Sequence, residues 1–245
     1  MNLTINPKYQ SLKTFMLSLP ERFDSEGVVL RDKRNVVKSF EVDGQILVVK
    51  RYKVPMLHQR IDYTLFRPSK AKRAYKFALR LREMGIDTPE PVAFIETTNI
   101  GLFRQGYFVS AFTSDNDIKS HLTMLDDKLF FSQFVDFIVF MHTNGFLHGD
   151  TNLSNFLYRM DGKNFHFQVI DINRSHFKER PSQSQCLENF KRMTHDRILC
   201  RKIVSEYARR RGWDPVASAD HVIRLLDQFE RKRKAHDYYK RHFRK

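Results

Sequence analysis

Hydrophobic and polar positions fall into two regimes along the chain. From Val28 to Tyr52, apolar and polar residues alternate in short runs, VVLRD, VVKSFEV and QILVVKRY, separated by Lys33-Arg34-Asn35 and by Asp43-Gly44. A period of two with β-branched residues predicts strands, and an Asp-Gly pair between such runs predicts a tight hairpin. Residues 53–68 break the pattern and read as irregular, closed by Pro68. Ser69 can cap a helix running to about Met84, with Ala71, Ala74, Phe77, Ala78 and Leu81 on one face and Gly85 ending it. TPEPVAFIE and GYFVSAF read as two further strands. The second half changes period: residues 117–145 read as helical, with a long apolar helix over about 127–143 stopped by Asn144-Gly145. Two short strands, Asn155 to Met160 and Phe165 to Asp171, flank another Asp-Gly turn, and the chain from about Leu187 is helical and basic.

Pattern alone thus divides the chain into a lead-in with little pattern (1–27), a small strand-rich lobe with one helix (28–112), a mainly helical lobe (113–227) and a basic aromatic tail (228–245). This is an α+β organisation whose polar motifs lie at the junction of the lobes, where a cleft is expected.

Composition removes several classes. At 245 residues, 41 % hydrophobic and 13 % aromatic with 22 Phe, the chain can build a sizeable core, which excludes wholesale disorder. No run approaches the roughly 18 uninterrupted apolar residues of a membrane span; even Leu129 to Met141 contains Ser132, Gln133 and Asp136. The start, MNLTINPKYQSLK, has no apolar signal core, so a cytoplasmic location is expected. Cys186 and Cys200 form neither a metal-ligand spacing nor a disulfide framework and read as ordinary thiols. The balance of 43 Lys+Arg against 28 Asp+Glu, net +15, favours a polyanionic partner without choosing among nucleic acid, an anionic membrane and phosphorylated substrates.

Candidate chemistry concentrates in His148-Gly149-Asp150-Thr151-Asn152-Leu153-Ser154-Asn155 and in Val169-Ile170-Asp171. The turn at Asp161–Asn164 folds the two strands back so that Asn155 and Asp171 lie almost opposite, at a strand spacing of roughly 5 Å. An amide oxygen beside a carboxylate makes a hard-oxygen pair suited to Mg²⁺. Asp150, in the turn just upstream, is left to accept a proton. Lys50 supplies a cation: on its strand it shares a face with Ile46 and Val48, so its ammonium is expected at the inner edge of the lobe. A metal pair, a carboxylate for an attacking hydroxyl and a cation for phosphate charge are the parts phosphoryl transfer needs. Each residue also has a plainer role: an Asp after His-Gly forms turns, a strand Lys snorkels, and His142 packs or hydrogen-bonds locally. The coincidence of Asp150, Asn155 and Asp171 is what favours chemistry.

HGDTNLSN resembles the H-x-D-x4-N catalytic loop of the protein-kinase-like superfamily; Asp171 matches its metal-binding D-F-G aspartate and Lys50 its third-strand lysine. SKAKRAYKFALRLREMGIDTPEPVAF, FLHGDTNLSNFLY, VIDINRSHF and YARRRGWD are similar to the bacterial lipopolysaccharide kinase family, over roughly residues 28–215. The resemblance implies a bilobal protein-kinase-like fold and ATP- and Mg²⁺-dependent phosphorylation of an inner-core sugar, either 3-deoxy-D-manno-octulosonic acid (Kdo) or heptose. It implies Asp150 as catalytic base, Asn155 and Asp171 as metal ligands, Lys50 on the nucleotide phosphates and His148 as a brace of the loop. Three departures stand out. Arg31-Asp32-Lys33-Arg34-Asn35 replaces a glycine-rich loop, the helix meant to carry a glutamate for Lys50 offers Tyr75 and Lys76 with only Glu83 near its end, and Ile172-Asn173 replaces Phe-Gly.

The expected partners are a lipid-linked sugar and, through the tail, an anionic inner-membrane surface at its cytoplasmic face. Residues 231–245 hold eight Lys/Arg against Asp237 alone, with Phe229, Tyr238, Tyr239 and Phe243 interleaved. A solvated helix is the plainer account of that tail. No specific nucleic-acid partner is expected. A protein or small-molecule phosphotransferase of the same fold, and a membrane-associated pseudokinase lacking catalysis, stand as the other readings.

Overall fold

The alternating runs do form strands. The computed structural model describes residues 1–122 and 127–243, and the chain divides into two compact units, Met1–Ser114 and Asp115–Lys245.

The first unit comprises β1 (Asn2–Ile5), α1 (Lys13–Arg22), β2 (Val28–Asp32), β3 (Val36–Val42), β4 (Gln45–Arg51), α2 (Leu57–Leu65), α3 (Lys70–Glu83), β5 (Pro91–Asn99) and β6 (Leu102–Ala111). Its six strands form one sheet of order β1-β5-β6-β4-β3-β2, every neighbouring pair antiparallel. Asp43 and Gly44 both take positive φ (50° and 72°) at the β3–β4 turn, as an Asp-Gly hairpin requires. Alternation sends Phe40, Leu47, Val49, Ala93, Ile95 and Val109 to one face, where Phe15, Met16 and Leu19 of α1 and the following Phe23 close a core. The opposite face carries Tyr52 and Phe94, which pack with Ala71 and Tyr75 of α3. Ser69 caps α3 as expected, its side chain accepting from Lys72 N–H at 3.2 Å.

Two expectations are corrected here. Residues 1–27 are no patternless lead-in: β1 pairs with β5, and α1 packs on one face of the sheet. The apolar positions 15, 16, 19 and 23 do carry helical spacing, but Pro20 inside the helix disguises it. Lys38, 8 % exposed, fastens this segment to the sheet: its ammonium donates to the carbonyls of Phe23 (2.6 Å) and Glu26 (2.9 Å) just past the end of α1. Residues 53–68, read as irregular, contain α2, none of whose residues is buried. The helix lies against β6 through Tyr63, edge-on to Phe103 at 5.3 Å, and through Arg60, which donates to the Phe103 carbonyl at 2.8 Å.

The second unit comprises β7 (Asn116–Asp117), α4 (Ile118–Leu122), α5 (Lys128–Thr143), β8 (Phe146–Leu147), β9 (Phe156–Asp161), β10 (Asn164–Val169), β11 (His176–Phe177), α6 (Gln183–Asn189), α7 (Arg197–Arg210) and α8 (Pro215–Phe243). The part of the expected 117–145 helical stretch at 123–126 lies outside the described residues. Sheets of order β10-β9-β7 and β11-β8 carry the polar loops. Phe130 and Phe134 of α5 meet Phe156 and Phe167 edge-on at 5.3–5.4 Å between ring centres, anchoring the β9–β10 hairpin to the helix. A separate tail from 228 is not what forms. One continuous helix, α8, buries Ala219, Val222 and Leu226 in its first half, and residues 231–242 are exposed. Among the described residues no helix is long and apolar enough to cross a membrane.

Leu19, fully buried beneath the sheet, tests the structural role of the first segment. Leu19→Ala is expected to cost about 2–5 kcal/mol of unfolding free energy, read as a lowered urea midpoint. A value near zero would return residues 1–27 to the status of a lead-in.

Candidate active site

Within the second unit the polar loop following β8 is packed on one buried ring. His148 is fully buried. Its Nε2 lies 2.9 Å from the carbonyl of Ile170, which can only accept, so Nε2 carries the proton; Nδ1 then accepts the N–H of Asp150 at 3.3 Å. Burial holds the His148 pKa below the ordinary imidazole value, in keeping with this neutral form. The backbone of His148 is also held at both ends, its N–H donating to Asn189 Oδ1 (3.3 Å) and its carbonyl accepting from Ser175 Oγ (3.0 Å). Gly149, with φ 71°, passes so close to the next segment that a Cβ there would sit 2.3 Å from the Arg174 carbonyl.

Asp150 and Asn155 are joined directly. Asn152 accepts from Ser154 N–H and starts a single 3-10 turn over Leu153–Asn155. Asn155, 8 % exposed, donates from Nδ2 to the Asp150 carbonyl at 2.8 Å, which leaves Oδ1 as the amide atom with the lone pairs a metal ligand needs. The β9–β10 register pairs Phe156 with Val169, and Ile170 N–H donates to the Asn155 carbonyl at 2.9 Å. Asn155 therefore faces Ile170, one residue short of Asp171. Asp171 takes a left-handed backbone (φ 58°, ψ 43°), and its Oδ1 accepts from Asn173 Nδ2 at 2.7 Å. Among the described residues no three His, Cys, Asp or Glu side chains gather as a metal cluster. One amide oxygen and one carboxylate still fit Mg²⁺, which keeps several waters and takes its remaining ligands from phosphates.

The Asp150 carboxylate, 28 % exposed, stands between two arginines that the motif does not contain: Arg174 Nη1 lies 3.4 Å from Oδ2 and Arg192 Nη1 3.6 Å from Oδ1. A third residue outside the motif is Asn189. Its Oδ1 receives both His148 N–H and the Nε2–H of His142 (3.1 Å), and its carbonyl receives the Thr151 hydroxyl. His142 Nδ1 in turn accepts from Tyr207 O–H at 2.9 Å, and Tyr207 accepts from Arg211 at 3.1 Å. The local role expected for His142 is thus a link in a buried chain ending at the loop. Arg174 stands three residues after Asp171, a positional signal that could have found it; nothing in the sequence marks Asn189 or Arg192.

Lys50 belongs to the first unit and is described there alone. On β4 it pairs with Val37 and Phe108, on the α3 side of the sheet, with its ammonium 5.4 Å from the Tyr52 ring centre. Its row is not the apolar one: Ile46 is 46 % exposed, and the buried positions of the strand are Leu47 and Val49 on the far face. Glu83 is exposed at the last position of α3, and Arg31–Arg34 are exposed at the end of β2 and in the turn that follows it.

Comparison with known proteins places these features in context. The model of the lipopolysaccharide kinase (Kdo/WaaP) family matches residues 29–211. Among solved structures, one described as WaaP in complex with acyl carrier protein is similar at TM-score 0.61 and 18 % identity, covering 96 % of this chain and 99 % of that one. The Rio2 kinase–ADP/Mg²⁺–phosphoaspartate complex from Chaetomium thermophilum is similar at TM-score 0.50 and 15 % identity, covering 93 % of this chain and 77 % of that one. No curated protein sequence matches the chain. The fold is α+β and protein-kinase-like, with a β-sheet N-terminal part and a helical C-terminal part.

The buried His142 gives this unit an acid-sensitive element. Burial lowers its pKa from 6.5 to about 4. Between those values the unfolded chain takes up a proton that the folded chain refuses, so stability is full above about pH 6.5 and falls as the pH drops towards 4. His142 alone accounts for about 3 kcal/mol over that window. Urea midpoints measured at pH 7.5 and 4.5 should differ markedly in the wild type and less in His142→Gln; an unchanged difference would remove His142 from this role.

Proposed function

Because the chain belongs to the lipopolysaccharide kinase (Kdo/WaaP) family, and is on that ground a phosphotransferase, we propose that it transfers the terminal phosphoryl group of ATP to a sugar hydroxyl of a lipid-linked acceptor, Kdo or an inner-core heptose. The observation that carries the reading is the joining of Asp150, Asn155 and the Asp171 segment through one hydrogen-bonded frame on His148.

Asn155 and Asp171 would hold Mg²⁺, and Lys50 would contact the nucleotide phosphates. When bound, Mg²⁺–ATP supplies the phosphoryl group and offsets its charge. Asp150 orients the acceptor hydroxyl and accepts its proton as that oxygen forms the new bond to phosphorus and the bond to the ADP oxygen breaks. His148 touches neither substrate; it positions Asp150 by receiving its N–H. Arg174 and Arg192 hold the Asp150 carboxylate between them and can meet charge on the transferring group. The exposed Arg31, Lys33 and Arg34 support side-chain rather than backbone cradling of phosphate, and the lack of glycine in this segment is also the feature that favours a pseudokinase. The peripheral-membrane reading rests on residues 231–242, where Arg231, Lys232, Lys234, Lys240 and Arg241 accompany exposed Tyr238 and Tyr239. Phe229 is not among those anchors, because the Arg192 guanidinium covers it at 4.7 Å.

Phosphate transfer from labelled ATP–Mg²⁺ to Kdo₂–lipid A in mixed micelles should label the lipid, and Asp150→Asn should abolish the label while nucleotide binding persists. Full activity in that variant would overturn the assignment of Asp150. Absence of label with ATP still bound would point to a heptose, protein or small-molecule acceptor, and absence of both to the pseudokinase. Separately, sedimentation with anionic vesicles should exceed that with neutral ones and fall with salt. Replacing Lys240 and Arg241 by Gln should weaken it; indifference to lipid charge would refute membrane docking by α8.

A further inference from the structure

Asp150 opens onto a cavity of about 250 Å³ lined also by Asn152, Arg192, His195, Phe229 and Arg233. None of the residues assigned to metal or nucleotide, Asn155, Asp171 and Lys50, lines it. A carboxylate proposed to meet the acceptor hydroxyl therefore shares its cavity with two arginines and a histidine and with no second acidic side chain.

The basic groups are not all consumed by one another or by neighbours. Arg192 rests its guanidinium on the Phe229 ring and reaches Asp150 through Nη1 at 3.6 Å, while its Nε is buried with no hydrogen-bond partner among the described residues. Among the described residues Arg233 pairs with Asp237 alone, at 4.0 Å and with both side chains more than half exposed, a contact weak enough to exchange for a better-placed anion. His195 is held through Nδ1 by Glu230 at 2.6 Å, and Glu230 is in turn held by Arg197, so the imidazole is fixed in orientation from behind. An aromatic floor, a fixed imidazole and two guanidinium groups beside Asp150 form a site for an anion carried on a compact polar body.

We infer that this cavity is the acceptor subsite, and that Arg192, His195 and Arg233 select an acceptor bearing an anionic group, carboxylate or phosphate, within about one sugar of the hydroxyl to be phosphorylated. The inference rests on the kinase reading only for the role of Asp150; the anion site itself stands on the cavity and its basic lining. A carboxylate on the same sugar, as in Kdo, and a phosphate already present on the lipid are the two sources of that chemistry. The cavity, smaller than the roughly 300–1,000 Å³ that hold drug-sized ligands, suits a single sugar unit.

The test compares wild type with Arg233→Gln and His195→Gln on three acceptors: Kdo₂–lipid A, its carboxyl methyl ester and its lipid-dephosphorylated form. Arg192 is left intact because it also holds Asp150. Each variant should raise KM for the unmodified acceptor about tenfold or more, the usual effect of losing one charge-assisted hydrogen bond, with kcat and the KM for ATP unchanged. The acceptor form that wild type handles poorly, and on which the variants make no further difference, identifies the anion's source. Equal use of all three acceptors by wild type, or variants with unchanged KM, would overturn the inference. Binding of the same micelles, followed by tryptophan fluorescence of Trp213 or by calorimetry, separates the two readings. Charge-dependent binding lost in Arg233→Gln, without any phosphate transfer, would uphold the anion site and reject the kinase; transfer without acceptor-charge dependence would do the reverse.

Discussion

A neutral imidazole sealed from water holds the polar loop of the second unit together. His148 can donate to Ile170 and accept from Asp150 only with one proton on the ring. A second proton would face the Asp150 N–H with another donor and break the contact that aims the carboxylate. Everything nearby is built onto this ring. Asn155 hangs from the Asp150 carbonyl, Ser175 from the His148 carbonyl, and Gly149 is bare because Arg174 passes where a side chain would go. Asn189 extends the frame outward by accepting two N–H groups at a single oxygen, so that α5, α6 and α7 all bear on the loop. Such a fully satisfied buried network fixes geometry more firmly than its separate bonds suggest.

The net charge of +15 resolves into structural and solvent-facing populations. Several cations do the work of caps and struts. Lys38 gathers carbonyls at the end of α1, Arg210 ties α7 to Ser132 and Asp136 of α5, and Arg197 joins α7 to Asp227 and Glu230 of α8. The Arg197 and His195 hydrogen bonds hold the Glu230 carboxyl down at about 2. These groups say nothing about a partner, although composition counts them with the rest. The informative cations are those around Asp150 and along the exposed half of α8.

What the sequence made legible was whatever local chemistry determines. The β3–β4 hairpin follows from Asp43-Gly44, the start of α3 from Ser69, and the facing of Asn155 and the Asp171 segment from the turn between them. Missing were features that depend on tertiary company. α1 packs on a sheet face although Pro20 disguises its spacing, α2 has no fully buried residue, and α8 runs through a boundary drawn where the composition turns basic. The row containing Lys50 looked apolar on paper, yet the core lies under its alternate residues, because α1 occupies that other face. Arg174 and Arg192 reach Asp150 only after folding, from positions 24 and 42 residues along the chain; the catalytic-loop motif, which is local, gives no hint of them.

The continuity of α8 bears on how its exposed half meets anything outside the molecule. Starting a helix is the unfavourable step, and extending one adds a bond for each residue fixed. Ala219, Val222 and Leu226 are packed in the first half, so that step is completed by the folded unit itself. Residues 231–242 are then wound by elongation alone. A surface or ligand that engages them meets a segment already in register, with side chains at fixed angular intervals, and association need not include a coil-to-helix transition. The same coupling runs backward: loosening the packed half would unwind the exposed half with it, so contacts made far out on the helix report on the core at its root.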